Sequence, residues 1–418
     1  MSLVNYPTIR PSLILDFQKA EVVDPRVTFT RASTATFFNN AGVLTSAANN
    51  IPRIDFNPST LVCNGLLIEE QRTNLLTYSA EFNNAAWLKS NSSITANTIV
   101  APDGTVDADK LVEDATSATH FVRQNSLSTV GVTYVSSVYL KAAERTSAVV
   151  VHFDGSVFYG VSVNLSTGAL SAPPSDLSLT DASSSATVTS VGNGWYRVSV
   201  ARAQVSTTTT QLRVALQSGS NGVYTGNGTS GIYIWGAQLE AGAFPTSYIP
   251  TTTTALTRNA DVASMTGTNF SSWFNASEGT IFCQGIGVNN VAAGTRRYFE
   301  INNNTPDERV LAGYGFTTAC RYLVLDGAAT QADIGVTTTT GGALVKFAGA
   351  YKTNDFQQAS NGTLGTADTS GTLPTVDRMF IGQAETTAAA TMLNGYIQRI
   401  AYYPVRLPNS TLQALTDT

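Results

Sequence analysis

Glu69 and Glu70 stand side by side in "GLLIEEQRTNLL", with Arg72 two residues further on. Paired carboxylates beside a guanidinium are the raw material of general acid–base catalysis. That chemistry needs two acids in different environments, facing one bond from opposite sides. Adjacent residues on an extended chain point to opposite faces. Glu69 and Glu70 therefore cannot flank one bond. They read as a structural joint in which Arg72 pairs with one of them or with a backbone carbonyl.

The other chemical candidates are few. Histidine occurs only at His120 and His152, and no G-x-S-x-G elbow supplies a nucleophile for either. HExxH, P-loop and dinucleotide fingerprints are absent. Asp103, Asp107 and Asp109 in "APDGTVDADKL" lie near a glycine. They lack the D-x-D-x-D-G spacing and closing Glu of a calcium loop, so a turn is the favoured reading over a structural calcium. No cofactor, metal site or catalytic residue is expected.

Sugars bind by stacking C–H faces on aromatic rings and by hydrogen bonds to planar polar groups. Strand alternation offers such a surface. In "YVSSVYLKA" (134–142), Tyr134, Val138 and Leu140 read as core, which places Tyr139 and Lys141 on the other face. In "WYRVSVA" (195–201), Tyr196, Val198 and Val200 read as core and leave Trp195 and Arg197 outward. In "SAVVVHF" (147–153), Val149, Val151 and Phe153 leave His152 outward. Arg213 and Gln217 fall outward in "QLRVALQ". Tyr139, Lys141, His152, Trp195 and Arg197 form the candidate glycan groove. The competing reading is that Trp195 covers a sheet edge beside its glycine turn. Tyr298, Tyr314 and Tyr322 are the next candidates.

The elements that carry these residues are almost all strands. Apolar runs are short, alternate, and end in Gly, Asn, Asp and Ser. One series runs from 134 to 239; after the Thr-rich "PTTTTALTRNADVASM" a second runs from 279 to 403. The chain reads as all-β, with two antiparallel β-sandwiches in tandem after a short β-rich N-terminal segment. The divisions are 1–69 for the N-terminal segment, 70–250 for the first sandwich, 251–261 for a linker and 262–418 for the second sandwich. The segment 1–64 is too polar for a large core of its own, and its strands need partners elsewhere, on a neighbour or on other subunits. "NSTLQALTDT" closes the chain as a short helix with Asn409 as N-cap.

Composition agrees with a soluble, neutral-surfaced β protein. Charged residues make up 13% of the 418 residues and the net charge is -5, which argues against nucleic-acid binding. Cys63, Cys283 and Cys320 form no CxxC pair and read as buried thiols of a chain made in a reducing cytoplasm. Neither a signal-peptide pattern at the N-terminus nor a membrane-spanning apolar run is expected.

"VTFTRASTATFFNNAGVL", "IPRIDFNPSTLVCNGLLIEEQRTNLLTYSAEFNNAAW", "GNGWYRVSV" and "IWGAQLEAGAFPTSYIPT" together resemble a module of phage and prophage tail-fibre and appendage proteins. "GTIFCQGIG" and "LNGYIQRIAYYPVRLPNSTLQAL" resemble the concanavalin A-like (laminin-G-like) domain that often follows it. The resemblance implies a carbohydrate-binding-module-like jelly roll and a lectin-like sandwich in a virion protein, made without a signal peptide. It implies a non-catalytic receptor-binding role toward host cell-surface polysaccharide, contact with other tail or baseplate proteins through the N-terminal segment, and a homotrimer. A glycan-degrading tailspike enzyme and a purely structural tail adaptor are the alternatives.

Overall fold

The computed structural model describes residues 8–206, 208–287, 296–314, 319–337 and 342–417. The chain is all-β, built from antiparallel sheets packed face to face.

The first sandwich pairs two sheets. One has the order Ala186–Ser190, Trp195–Ala203, Thr133–Ala142, Gly231–Ala241, Ala108–Glu113, Ser92–Ile99; we call it the cleft sheet. The other runs Leu170–Ser171, Phe158–Asn164, Ser147–Phe153, Thr209–Gln217, Phe121–Leu127, Leu88–Ser90; we call it the distal sheet. Val138, Leu140, Val198 and Val200 from the first interdigitate with Val150, Leu212, Val214 and Leu216 from the second, all fully buried. Each such side chain contributes about 1.5–3 kcal/mol by leaving water. The turn that launches strand Trp195–Ala203 holds Gly192, Asn193 and Gly194 at φ 82, 51 and 78. Three consecutive left-handed residues tolerate little but Gly and Asn, which is why "GNGW" marks the strand's start.

The second sandwich contains strands from both ends of the chain. Leu13–Asp16 pairs with Gly395–Tyr403, as does Cys63–Ile68 on the same strand's other stretch. Thr28–Thr30 pairs with Val262–Thr266. Leu13, Leu15, Phe29, Leu66 and Ile68 share one core with Ile281, Phe299, Phe347 and Ile400. The segment 1–69 is therefore no separate attachment piece: it supplies strands to the 262–418 sandwich. Its polar composition fits this, because short edge strands need bury only one face against a core already present. Its hairpin, Ala35–Phe38 with Leu44–Ala47, turns toward the first sandwich, where Leu44 is buried, and Ser59 reaches the Ser190 carbonyl of that sandwich at 3.1 Å.

The stretch 251–261 is likewise a built part of the joint. Leu256–Arg258 pairs with Arg72–Asn74, and Asp261 lies fully buried between Arg31 at 3.1 Å and Arg53 at 2.5 Å. Arg53 also meets Glu69 at 2.8 Å, and Arg258 reaches the same carboxylate at 3.5 Å. Three arginines and two carboxylates out of water hold each other only as a set, since removing one leaves its partners buried and unpaired.

The C-terminal helix spans Asn409–Thr416. Its N-cap is Pro408, whose carbonyl accepts from the N–H groups of Thr411 and Leu412; Asn409 is the first helical residue and does not cap.

Candidate functional site

Strands Thr133–Ala142 and Trp195–Ala203 lie in register, with Tyr139 opposite Arg197 and Lys141 opposite Trp195. Alternation thus assigns their faces as the sequence suggests. The face is not open, however. The hairpin at 35–47 and the return segment 244–250 cover it, and Leu44, Tyr139, Trp195, Trp235 and Tyr248 form one buried cluster. Trp195 is 2% exposed, and its indole N–H donates to the Val100 carbonyl at 3.2 Å. It is a structural ring. Lys141 is half-buried beside it and lies outside the cleft described below.

His152 is a clear correction. It is fully buried between the two sheets and its Nδ1 lies 2.8 Å from Ser136 Oγ. Burial pushes its pKa down to about 4. Val149 and Val151, read from sequence as core, face the other way and are covered by Leu177 and Leu179. Apolar residues on both faces of that strand hide the true side from a period-two reading. Tyr298 and Tyr322 are buried in the second core and present no surface, while Tyr314 packs against that core partly buried.

Tyr139 and Arg197 line the floor of a cleft of about 400 Å³ at the joint. The cleft draws on five stretches of chain: Phe37 to Glu69 from the N-terminal segment, Tyr139 and Thr187 to Ser199 from the cleft sheet, Phe244 to Tyr248, and Asn394 to Tyr396 from the second sandwich. Gly236 permits the floor. At φ 59 it lies under Tyr139, and a Cβ there would come within 2.8 Å of the ring. The register also shifts between Ser137 and Tyr139 against this strand. Arg197 crosses the floor, 5.3 Å from the Tyr139 ring centre, donating to the Thr246 carbonyl at 2.6 Å and to Ser137 Oγ at 3.0 Å. Its Nε is buried without a partner. The Tyr139 hydroxyl has no hydrogen-bond partner among the described residues.

Two carboxylates border the cleft, and both are engaged. Asp55 accepts from Phe38 N–H at 2.8 Å, Asn64 Nδ2 at 3.1 Å and Tyr396 OH at 2.9 Å. Burial raises its pKa, and these donors offset part of that rise. Glu69 pays burial too, but the charges of Arg258 and Arg53 and two bonds from Ser247 outweigh it and hold its pKa at about 2. Glu70 turns the opposite way, to Arg72 and to Asn394 Nδ2. Arg72 and Arg296 both lie over Phe244, at 4.9 and 5.7 Å, and fix this cleft-wall ring from behind.

The cleft can hold a neutral or weakly charged polar ligand. Its walls are Phe37, Phe38, Phe56 and Phe244, and its polar groups are hydroxyls, amides, one guanidinium edge and the engaged carboxylates of Asp55 and Glu69. Of the five residues read from sequence, the fold brings Tyr139 and Arg197 together here. Asp55, Asn64, Phe244 and Tyr396 went unread, because they belong to segments far apart in sequence, with no local spacing to link them. Among the described residues no cluster of three or more His, Cys, Asp or Glu could hold a metal ion, and no helix is long and apolar enough to cross a membrane.

No family model matches this chain, and no curated protein matches it. Solved structures give partial likenesses. The IT-sialidase CBM40 of Ruminococcus gnavus bound to α2,3-sialyllactose aligns at 14% identity and a TM-score of 0.31, over 36% of this chain and 88% of that one. The leech intramolecular trans-sialidase aligns at 13% and 0.29, over 34% of this chain and 23% of its own length. The Trypanosoma rangeli sialidase in complex with 2,3-difluorosialic acid aligns at 14% and 0.31, over 37% and 26%. These overlaps leave most of the chain unmatched and transfer no activity to it.

Proposed function

We propose that this chain is a non-catalytic glycan-binding protein whose sugar site is the cleft at the joint. One observation carries the reading: an aromatic-walled cleft of about 400 Å³ has on its floor the Tyr139 hydroxyl, which has no hydrogen-bond partner among the described residues. Ring faces suit sugar C–H surfaces, and unpaired donors suit sugar hydroxyls, which is how small-ligand sites combine apolar walls with a few placed polar groups. The state of the carboxylates supports a binding role over a hydrolytic one. Glu69 is held ionised by arginines, and Asp55 is filled by three donors.

The resemblance to tail-fibre modules extends the reading to a virion tail appendage that binds host cell-surface polysaccharide as a homotrimer and meets other tail or baseplate proteins near its N-terminal segment. Because the strands of that segment are paired within the chain, such contact would use its exposed side chains, among them Val22, Leu61 and Val62. Several weak sites per particle would then add through avidity.

The test is a glycan array probed with the full chain, alongside assay of reducing ends from the retained polysaccharide. Retention of an oligosaccharide without cleavage is the expected result. Release of reducing ends would favour the tailspike-enzyme alternative, and no retention would favour the adaptor.

A further inference from the structure

The distal sheet opposes two arginines. Arg123 and Arg213 are direct cross-strand partners on neighbouring antiparallel strands. Like charges in that position destabilise a sheet unless something lies between them. Their protein partners are neutral amides. Arg213 Nε and NH2 donate to Gln211 Oε1 at 3.2 and 3.1 Å, and Arg123 NH1 to Asn125 Oδ1 at 3.4 Å. Gln211 Nε2 joins the two halves by donating to Asn125 Oδ1 at 2.6 Å. No carboxylate pairs with either guanidinium among the described residues, although the chain as a whole carries a net charge of -5.

Arg213 is also held rigidly. Its guanidinium lies over the rings of Phe121 and Phe158, 4.5 Å from each centre. A cavity of about 240 Å³ opens beside it, with Val151 and Ala215 as floor and Leu177 and Leu179 as wall. The carboxylate in this lining, Asp176, is already taken by the N–H groups of Gly222 and Val223 at 2.9–3.1 Å. Desolvation, with the Arg123 charge next to it, lowers the Arg213 pKa to about 10. The guanidinium remains charged at neutral pH and pairs with no carboxylate among the described residues.

We propose that this face of the distal sheet is a second ligand site, for a carboxylate-bearing sugar, in which Arg213 binds the carboxylate, Arg123 adds charge, and the Leu177 and Leu179 side chains take the ring's C–H face. A planar guanidinium presents a fork that matches a carboxylate with two parallel hydrogen bonds. The site is independent of the joint cleft, since the two lie on different sheets of the sandwich, so either can fail alone.

Calorimetric titration of the full chain with galacturonate, galactose and inorganic phosphate at fixed ionic strength is the test. Galacturonate should bind roughly ten-fold or more tightly than galactose, because a charge-assisted pair is lost in the neutral sugar. Arg213→Gln should remove that preference, and Arg123→Gln should weaken galacturonate while raising the melting temperature of the ligand-free protein by relieving the opposed charges. Equal binding of galactose and galacturonate would overturn the proposal. So would phosphate binding without galacturonate binding, which would indicate a general anion site. If Arg213→Gln does not melt cooperatively, the Arg123→Gln variant decides: unchanged galacturonate affinity and unchanged melting would each count against the site.

Discussion

At the scale of single residues, His152 shows how burial sets protonation. Its pKa is about 4 in the fold and near 6.5 in an unfolded chain. Below pH 6.5 the unfolded state takes up a proton that the folded state refuses. Stability is therefore full above about pH 6.5 and falls as pH drops toward 4, by roughly 3 kcal/mol at most. Asp55, with its raised pKa, acts in the opposite direction, so the total profile mixes signs. The difference between the wild type and His152→Gln isolates the histidine. Urea melts between pH 7 and 4 should show the variant losing less stability on acidification than the wild type. The same residue shows a limit of sequence reading. Tyr139 and Arg197 were legible because only one face of their strands is uniformly apolar. His152 was not, because Val149 and Val151 are apolar toward a covering loop and Val150 toward the core.

At the scale of elements, the joint rests on Asp261. Its carboxylate holds Arg31 and Arg53 and accepts the Glu69 N–H at 2.9 Å. Asp261→Ala leaves two buried guanidinium groups short of a partner and should cost about 3–5 kcal/mol, read by chemical denaturation. In the wild type, limited proteolysis within 251–261 should cut, if at all, in the exposed residues 252–256, since Thr251, Arg258 and Asp261 are buried and Leu256–Arg258 is paired. A Thr-rich stretch between two strand series looks like a linker by composition. The buried charges that make it structural pair with residues about 190 to 230 positions away, and no local window contains both partners. Glu69 and Glu70 were legible for the opposite reason: adjacency on an extended chain settles their divergence without any distant contact.

At the scale of the whole molecule, the two sandwiches are interlocked. The two-sandwich architecture was readable from alternating runs and turn residues. The division of the chain between the sandwiches was not, because strands 13–16, 28–30 and 63–68 are too short to declare which sheet they join. A fragment of 262–418 lacks Leu13, Leu15, Phe29, Leu66 and Ile68 from its core. Losing several fully buried side chains at about 1.5–3 kcal/mol each exceeds the stability of most domains. That fragment should be insoluble or melt without cooperativity by circular dichroism, whereas the full chain should melt sharply.

The same interlocking creates the cleft, since its lining comes from five separated stretches. The most direct measurement of glycan binding there is calorimetric titration of an array-selected oligosaccharide into the wild type and Tyr139→Phe. This substitution keeps the ring, with its Trp235 contact at 5.4 Å, and deletes only the unpaired hydroxyl. Glycan binding at the joint predicts an unchanged melt and an affinity several-fold weaker, the loss of one hydrogen bond of about 0.5–1.5 kcal/mol. Identical affinity in the two proteins would contradict it.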